Sequence, residues 1–503
     1  MSDQQSTVLE LVSRLNGRVL ISSDISDEDM VGKDLESLTA QILNFFGDAQ
    51  SINILNKETL LKLSSNIDEK APKQIEIRRS SAFASLAKDV DANFNARSVE
   101  VEKTGAMVSD FASYFNDRFK KLRQFIEEGR SSTLLGMINN IESLKQYTQG
   151  REVAIVGMVY DKIITKNGHV LITLEDETGN AKVLFLKSQY SVKGESLFDL
   201  ASRIVPDEVI AVRGKLSSPF VMASSIVFPD IAVHSRKKSE EDVATALISD
   251  AHVGSKMFME NHFSKFLEWL NGGANYRKDL ARKIKYVVVG GDLVDGIGIY
   301  PNQDKELNIT DIYKQYSVFF DFMSNIPDYI EVFILTGNHD AVQRAEPQPI
   351  LPKDLIGDFV QRNVHYISNP GYLTLHGTKI LSYHGTSLDS VIQGIPGCTY
   401  SKPEVAMLEI LRRRHLSPIY GNNPIIPSKK DALVIDEIPD VLHMGHVHKN
   451  GYSDYHGTLI INSGTWQSRT GYQLKLGHIP TPAVVPVYEH KTADMSVVDF
   501  NNV

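Results

Sequence analysis

Val332-Phe333-Ile334-Leu335-Thr336-Gly337-Asn338-His339-Asp340 decides the reading of this chain. Four apolar residues, two of them β-branched, run without interruption into a turn that carries Gly, Asn, His and Asp. The spacing predicts a buried strand that ends in polar chemistry. The same pattern recurs on either side. Residues 245–248 lead into Asp250-Ala251-His252, and residues 286–289 into Gly290-Gly291-Asp292. Residues 380–383 lead into His384-Gly385, and Val441-Leu442 into His443-Met444-Gly445-His446-Val447-His448. Short β-rich runs separated by helical stretches predict a layered α/β domain over residues 242–503. In such a domain the C-terminal strand ends converge on one rim, so ligands far apart in sequence can meet there.

The candidate ligands on that rim are Asp250, His252, Asp292, Asn338, His384, His446 and His448. Three offer oxygen and four offer nitrogen. That is too many donors for one four-coordinate zinc with an open position, and too nitrogen-rich for a magnesium or calcium cage. The set suits two adjacent ions of manganese, iron or zinc type bridged by a carboxylate. Two ions roughly 3.5–4 Å apart can activate a water and stabilise both oxygens of an in-line displacement at phosphorus. Gly291, Gly337, Gly385 and Gly445 permit sharp turns beside the donors. His443 reads as a supporting residue, Asp295 as a loop-shaping one and Cys398 as a packed thiol. Arg412-Arg413-Arg414-His415 reads either as a solvated helix face or as a contact for a nucleic-acid backbone.

Upstream, residues 1–63 read as a small helical domain, with Leu35, Leu38, Ile42 and Phe45 at helical spacing before Gly47. Residues 64–107 are Lys-, Ser- and Asp-rich and read as a flexible linker, at least partly disordered. Residues 108–150 form a helical connector, in which Phe111, Phe115, Phe119, Leu122 and Ile126 line one face to pack on a neighbouring domain. Residues 151–234 alternate as three strands, a helix near 196–203 and two further strands, the order of a five-stranded OB-type barrel. Few aromatics stand in those strands, which favours a structural or protein-docking barrel over a stacking platform. The polar run 235–241 marks the boundary.

Of the 503 residues, 53 are Lys or Arg and 62 are Asp or Glu, a formal charge of −9, with a pI near 5.9. A chain that grips nucleic acid unaided usually has a basic excess. Either the substrate is not a polyanion, or metal ions or a partner supply the positive charge. The single Cys398 excludes a disulfide framework and any multi-thiolate metal site. The longest stretch without Lys, Arg, Asp or Glu, residues 363–378, is too short to span a bilayer. Asp3 stands where a signal peptide carries positive charge, so a cytoplasmic location is expected.

The five motifs in this order resemble the calcineurin-like metallophosphoesterase superfamily over residues 245–488. By that resemblance Asp250, His252 and His448 hold one metal, Asn338, His384 and His446 hold the other, and Asp292 bridges them. His339 faces the scissile phosphate, where it stabilises charge or protonates the leaving oxygen. Asp340 orients His339 through a hydrogen bond, and a metal-activated water attacks. An OB-type barrel directly ahead of such a unit resembles the small (B) subunits of replicative DNA polymerases, most closely those of the archaeal family-D polymerases. That likeness covers residues 108–503. It includes Tyr114-Phe115-x-x-Arg118-Phe119-x-x-Leu122, Lys429-Lys430-Asp431-x-Leu433-Val434-Ile435 and Ser463-Gly464-Thr465-Trp466-Gln467.

The resemblance implies an α+β multidomain chain with an OB-type β-barrel, an α/β-sandwich phosphoesterase domain and a small helical N-terminal domain. It implies a metal-dependent 3′–5′ exonuclease that proofreads single-stranded DNA at a primer 3′ end. Manganese is the metal it favours, with iron or zinc compatible. A separate large subunit would polymerise, in a heterodimer or larger assembly near the nucleoid of an archaeal cytoplasm, with no membrane involved. A stand-alone metallophosphatase would leave the barrel idle, and a non-catalytic assembly subunit would not need seven metal-competent side chains.

Overall fold

The computed structural model describes residues 77–503, apart from 81–82, 101, 103–104, 130–137, 189–195, 358, 360 and 503, together with parts of residues 7–60. The chain forms two units, Met1–Glu76 and Ile77–Val503. In the first, helix Thr7–Leu15 accompanies the strands Val19–Ile21 and Asn53–Leu55, which pair in parallel. Leu11, Leu15, Val19, Leu38, Ile42, Leu55 and Leu60 are buried together. The expected small helical domain is therefore corrected to a mixed one, because a three-residue strand leaves no periodicity to read and depends on a distant partner. Leu38 and Ile42 fall in helix as expected, whereas Leu35 and Phe45 lie outside the described residues.

The second unit is mixed α+β. One six-stranded sheet runs, in spatial order, Val364–Tyr366, Glu331–Leu335, Ile284–Gly290, Ala244–Ile248, Val484–Glu489 and Asp494–Asp499. The first four strands are parallel, and Ala244–Ile248 and Ile284–Gly290 are buried along their whole length. That accounts for their mostly apolar text, interrupted at Thr245 and Lys285. A second six-stranded sheet is ordered Asn450–Tyr455, Thr458–Ser463, Val441–Met444, Thr378–Ser382, Gly371–Leu375 and Phe94–Ser98. Leu247, Val288, Phe333 and Leu335 of one sheet share a core with Leu373, Ile380, Val441 and Ile461 of the other. Helix Pro403–Arg413 packs Ala406, Met407 and Ile410 against Leu381, Leu442 and Ile460 of the second sheet.

The edge strand Phe94–Ser98 corrects the expectation of a flexible linker over 64–107 in its described part, whereas residues 64–76 lie outside the described residues. It pairs antiparallel with Gly371–Leu375, and Phe94 meets the Phe333 ring edge-on at 5.2 Å. Only Phe94 and Ala96 pack against the core, so its composition resembles that of a loop. The polar run 235–241 carries neither helix nor strand and is held to the same unit. Arg236 pairs with Asp454 and donates to the Ala493 carbonyl, and the Lys237 amide donates to Asp440.

Five strands close a barrel: Glu152–Ile164, Val170–Asp176, Gly179–Phe185, Phe220–Val227 and Val209–Ser217, sealed by pairing of the first with the last. Inward residues alternate along Val170–Asp176, where Val170, Ile172 and Leu174 are buried. Helix Val108–Glu128 lays Phe119, Leu122 and Ile126 on Ala154, Val156, Val209 and Ala211 of the barrel and on Val434. Its buried Arg118 donates to Asp431 at 2.7 Å, and His415 Nε2 lies 2.8 Å from the same carboxylate. Two sequence motifs far apart in the chain thus meet in one ion pair.

The Arg412-Arg413-Arg414-His415 run is neither a solvated face nor a nucleic-acid contact. Arg413 is buried against Glu208 and Glu409, and Arg414 donates to the Ile435 and Asp436 carbonyls. No helix among the described residues is long and apolar enough to cross a membrane.

Candidate metal centre

Five strand ends meet on one rim. Ala244–Ile248 delivers Asp250 and His252, Ile284–Gly290 delivers Asp292, and Glu331–Leu335 delivers Asn338 and His339. From the second sheet, Thr378–Ser382 delivers His384 and Val441–Met444 delivers His446 and His448. These last two strands are parallel, so their C-terminal ends share the edge.

The turns are tight. Asp250, His252, Asp292, His446 and His448 all adopt positive φ, between 51° and 68°. Left-handed non-glycine residues cost of order 1–3 kcal/mol each and persist where the surroundings over-determine them. A Cβ on Gly337 would lie 2.2 Å from Asp292 Oδ1, and one on Gly445 2.2 Å from Asp250 Oδ2. Only glycine lets these backbones pass the two carboxylates.

All seven candidate ligands are brought together. Asp250, His252 and His448 offer donor atoms within 4.8 Å of one another, as do Asp250, Asp292 and His384. Asp292 Oδ2 lies 3.7 Å from His252 Nε2 and 3.3 Å from His384 Nε2, between the two halves of the cluster. Asn338 Oδ1 lies 2.9 Å from both His384 Nε2 and His446 Nδ1. The outer nitrogens are occupied: His384 Nδ1 donates to the Gly290 carbonyl, and His446 Nε2 lies 3.1 Å from the Asp389 carboxylate. Neutral rings would therefore turn lone pairs toward other acceptors. The centre is satisfied only if it gains positive charge, either as protons on the rings or as metal ions.

The titration behaviour says the same. Burial would depress His252, but Asp250 and Asp295 raise it to about 10. Burial would likewise depress His384, but Asp292 raises it to about 10. Asp250 is held well below the ordinary carboxylate range: burial opposes this, and the hydrogen bonds of His252 and His448 overcome it. The donor set thus fits divalent cations, which exchange for ligand protons when they bind.

His339 and Asp340 behave differently from expectation. The His339 ring meets that of His252 edge-on at 4.7 Å, and its Nδ1 donates to the Asp295 carbonyl at 2.8 Å. Asp340 is turned away from this ring. It accepts from the Gly337 amide at 2.7 Å and the Tyr316 hydroxyl at 3.0 Å. The expected Asp340–His339 hydrogen bond is therefore corrected. A carboxylate next in sequence to a histidine at a strand end is directed back into its own turn, and a backbone carbonyl from another loop aims the ring.

Several supports were not read as such in the sequence. Asp295 does more than shape its loop, because its Oδ1 lies 3.1 Å from His252 Nδ1. Asp389 backs His446, and Gln473 Nε2 lies 2.8 Å from His448 Nδ1. Thr470 and Gln473 form a capping box, a signal that marks a helix start but says nothing about a distant histidine. His443 is confined to support, with its two ring nitrogens 3.0 Å from the Ser382 and Ser463 hydroxyls and burial pushing it down to about 3.

Residues 245–451, which include all seven donors, match the family of B subunits of DNA polymerases alpha and epsilon. The class is that of DNA polymerase B subunits. A DNA polymerase II small subunit from Pyrococcus furiosus is 37% identical over 437 residues, covering 83% of this chain and 70% of its own length. Those of Archaeoglobus fulgidus and Methanothermobacter thermautotrophicus are 38% and 40% identical, covering 76% and 79% of this chain and 75% and 80% of their own lengths. The chain belongs to the family of DNA polymerase II small subunits.

Proposed function

We propose that this chain works as the nuclease subunit of an archaeal replicative DNA polymerase, a two-metal 3′–5′ exonuclease on single-stranded DNA assembled with a large polymerising subunit. The observation that carries the reading is a complete donor set, seven side chains on one rim with none replaced by an inert residue. On this reading residues 242–503 are a calcineurin-like phosphoesterase domain and residues 151–234 an OB-type barrel. The charge of −9 fits a subunit that leaves most of the DNA grip to its partner.

Asp250, His252 and His448 would hold one ion and Asn338, His384 and His446 the other, with Asp292 between them. Such ions, manganese above all, supply Lewis acidity at the phosphate and a more acidic water. Asp295, Asp389 and Gln473 hold the donor rings in orientation. With its Nδ1 proton committed to the Asp295 carbonyl, His339 exchanges a proton at Nε2. Burial lowers this ring, with Asp292 opposing. An arriving phosphodiester anion favours its charged form, and the proton passes to the leaving 3′ oxygen of the penultimate nucleotide.

The test uses the chain with its large subunit, assayed on single-stranded DNA and on small phosphate esters with and without Mn²⁺. The expected result is metal-dependent release of 3′ nucleotides, lost in His448→Ala although the subunits still co-purify. Equal inactivity of wild type and variant would establish an assembly subunit, and preference for the small esters a phosphatase.

A further inference from the structure

The cavity of about 640 Å³ that opens on the donor cluster has an aromatic wall that the metal chemistry does not use. Tyr300, Tyr400, Tyr472 and His478 line it together with His339. The Tyr300 and Tyr472 rings are only 21° from parallel, with centroids 6.4 Å apart, and Tyr300 lies 6.5 Å from His339. The wall is therefore next to the residue that meets the phosphate.

Tyr472 lines this cavity yet is 64% exposed, and Leu474, Leu476 and Ile479 of the same segment are more than half exposed. Exposed apolar surface beside a cavity marks a binding surface, and of these residues Tyr472 and Leu476 line this one. The segment is also anchored. Gln473, the neighbour of Tyr472, reaches His448, and the Thr470–Gln473 capping box holds the helix Gly471–Lys475. Tyr400, whose ring packs on that of His478 at 4.1 Å, donates its hydroxyl to Asp389, the carboxylate behind His446. The aromatic lining is thus tied to the side chains that orient the donor histidines.

We infer that Tyr472, with Tyr300 opposite, is the stacking platform for a nucleobase flanking the scissile phosphate. The inference rests on the nuclease reading and deepens it. Stacking suits an enzyme that must accept every base, because each base has a π-face and no hydrogen-bond pattern is imposed. The polar lining elsewhere in the cavity then addresses the phosphate alone.

The test uses the two-subunit enzyme and single-stranded DNA carrying 2-aminopurine as the terminal or penultimate 3′ base, in EDTA so that nothing is cleaved. Binding to wild type should quench the fluorescence at one of these positions. Tyr472→Ala should abolish the quench and Tyr472→Phe should keep it. A quench that persists in Tyr472→Ala, or is absent from wild type, overturns the inference. In Mn²⁺, removing that base should slow wild-type cleavage roughly ten- to a hundredfold and leave Tyr472→Ala, already slowed to the same extent, unaffected. Independent, multiplying effects would overturn it as well. Absence of metal-dependent cleavage by wild type would instead refute the nuclease reading, and the fluorescence result stands apart from that outcome.

Discussion

Two buried clusters of the same unit contain the same kinds of side chain and do opposite things. Around Asp431, the carboxylate takes the Arg118 guanidinium at 2.7 Å and His415 at 2.8 Å, so the cation is covalently part of the fold. Around Asp292, the carboxylates and imidazoles outnumber any cation the chain supplies, and positive φ at five donors adds strain. The first cluster is complete in itself and joins helix Val108–Glu128 to the segment that carries His415 and Asp431. The second is complete only when charge arrives from outside. Burial, often read as a sign of structural duty, does not separate the two; the balance of donors and acceptors does.

That contrast makes graded predictions. His448→Ala should lower metal-dependent nuclease activity on the order of 10³-fold while shifting the metal-free melting temperature less than the loss of a buried ion pair would, because it gives up contacts to Gln473 and Asp250 and strands no buried cation. Arg118→Met should do the reverse. Stranding buried Asp431 should cost about 3–5 kcal/mol, read as a lower denaturation midpoint and faster proteolysis within residues 108–128, with nuclease activity retained below the melting transition. Mn²⁺ at a hundred times its dissociation constant should stabilise the wild type by about 2.7 kcal/mol. Gln473→Ala should weaken metal affinity roughly 10- to 100-fold in calorimetric titration, and Arg118→Met should leave that affinity alone.

The smallest effect concerns pH. Burial opposes ionisation of Asp431, but His415 and Arg118 hold its carboxyl below the ordinary range, so its contribution is present above about pH 4 and lost as pH falls through the folded value. Burial and then Arg118 keep His415 neutral, so protonation of the unfolded chain erodes stability below about pH 6.5. Both act in the same direction. The metal-free protein should melt at lower temperature as pH drops from 7 to 4, and His415→Gln should flatten the upper part of that decline.

Much of this was legible in the sequence. Each donor stands directly after a short apolar run, and such a run forms a buried strand wherever it sits, so the turns after Ile248, Gly290, Leu335, Ser382 and Met444 carried the site in plain text. The barrel was legible for the same reason, since alternation along Val170–Asp176 follows from one wet and one dry face. What escaped notice lacked a local signature. Phe94–Ser98 has two inward residues in polar surroundings. Asp389 and Gln473 act on histidines many residues away, and the orientation of Asp340 depended on Tyr316 lying behind it.

The chain order alone settled which residue types would be offered and at which strand ends, because a strand and the turn that follows it are covalent neighbours and their pattern needs no partner. Folding in three dimensions decided who faces whom. Only sheet packing could bring Asp292 between His252 and His384, hand the aim of His339 to the Asp295 carbonyl, and set Tyr472 across from Tyr300. Those juxtapositions depend on long-range contacts between side chains, and a linear pattern does not encode them.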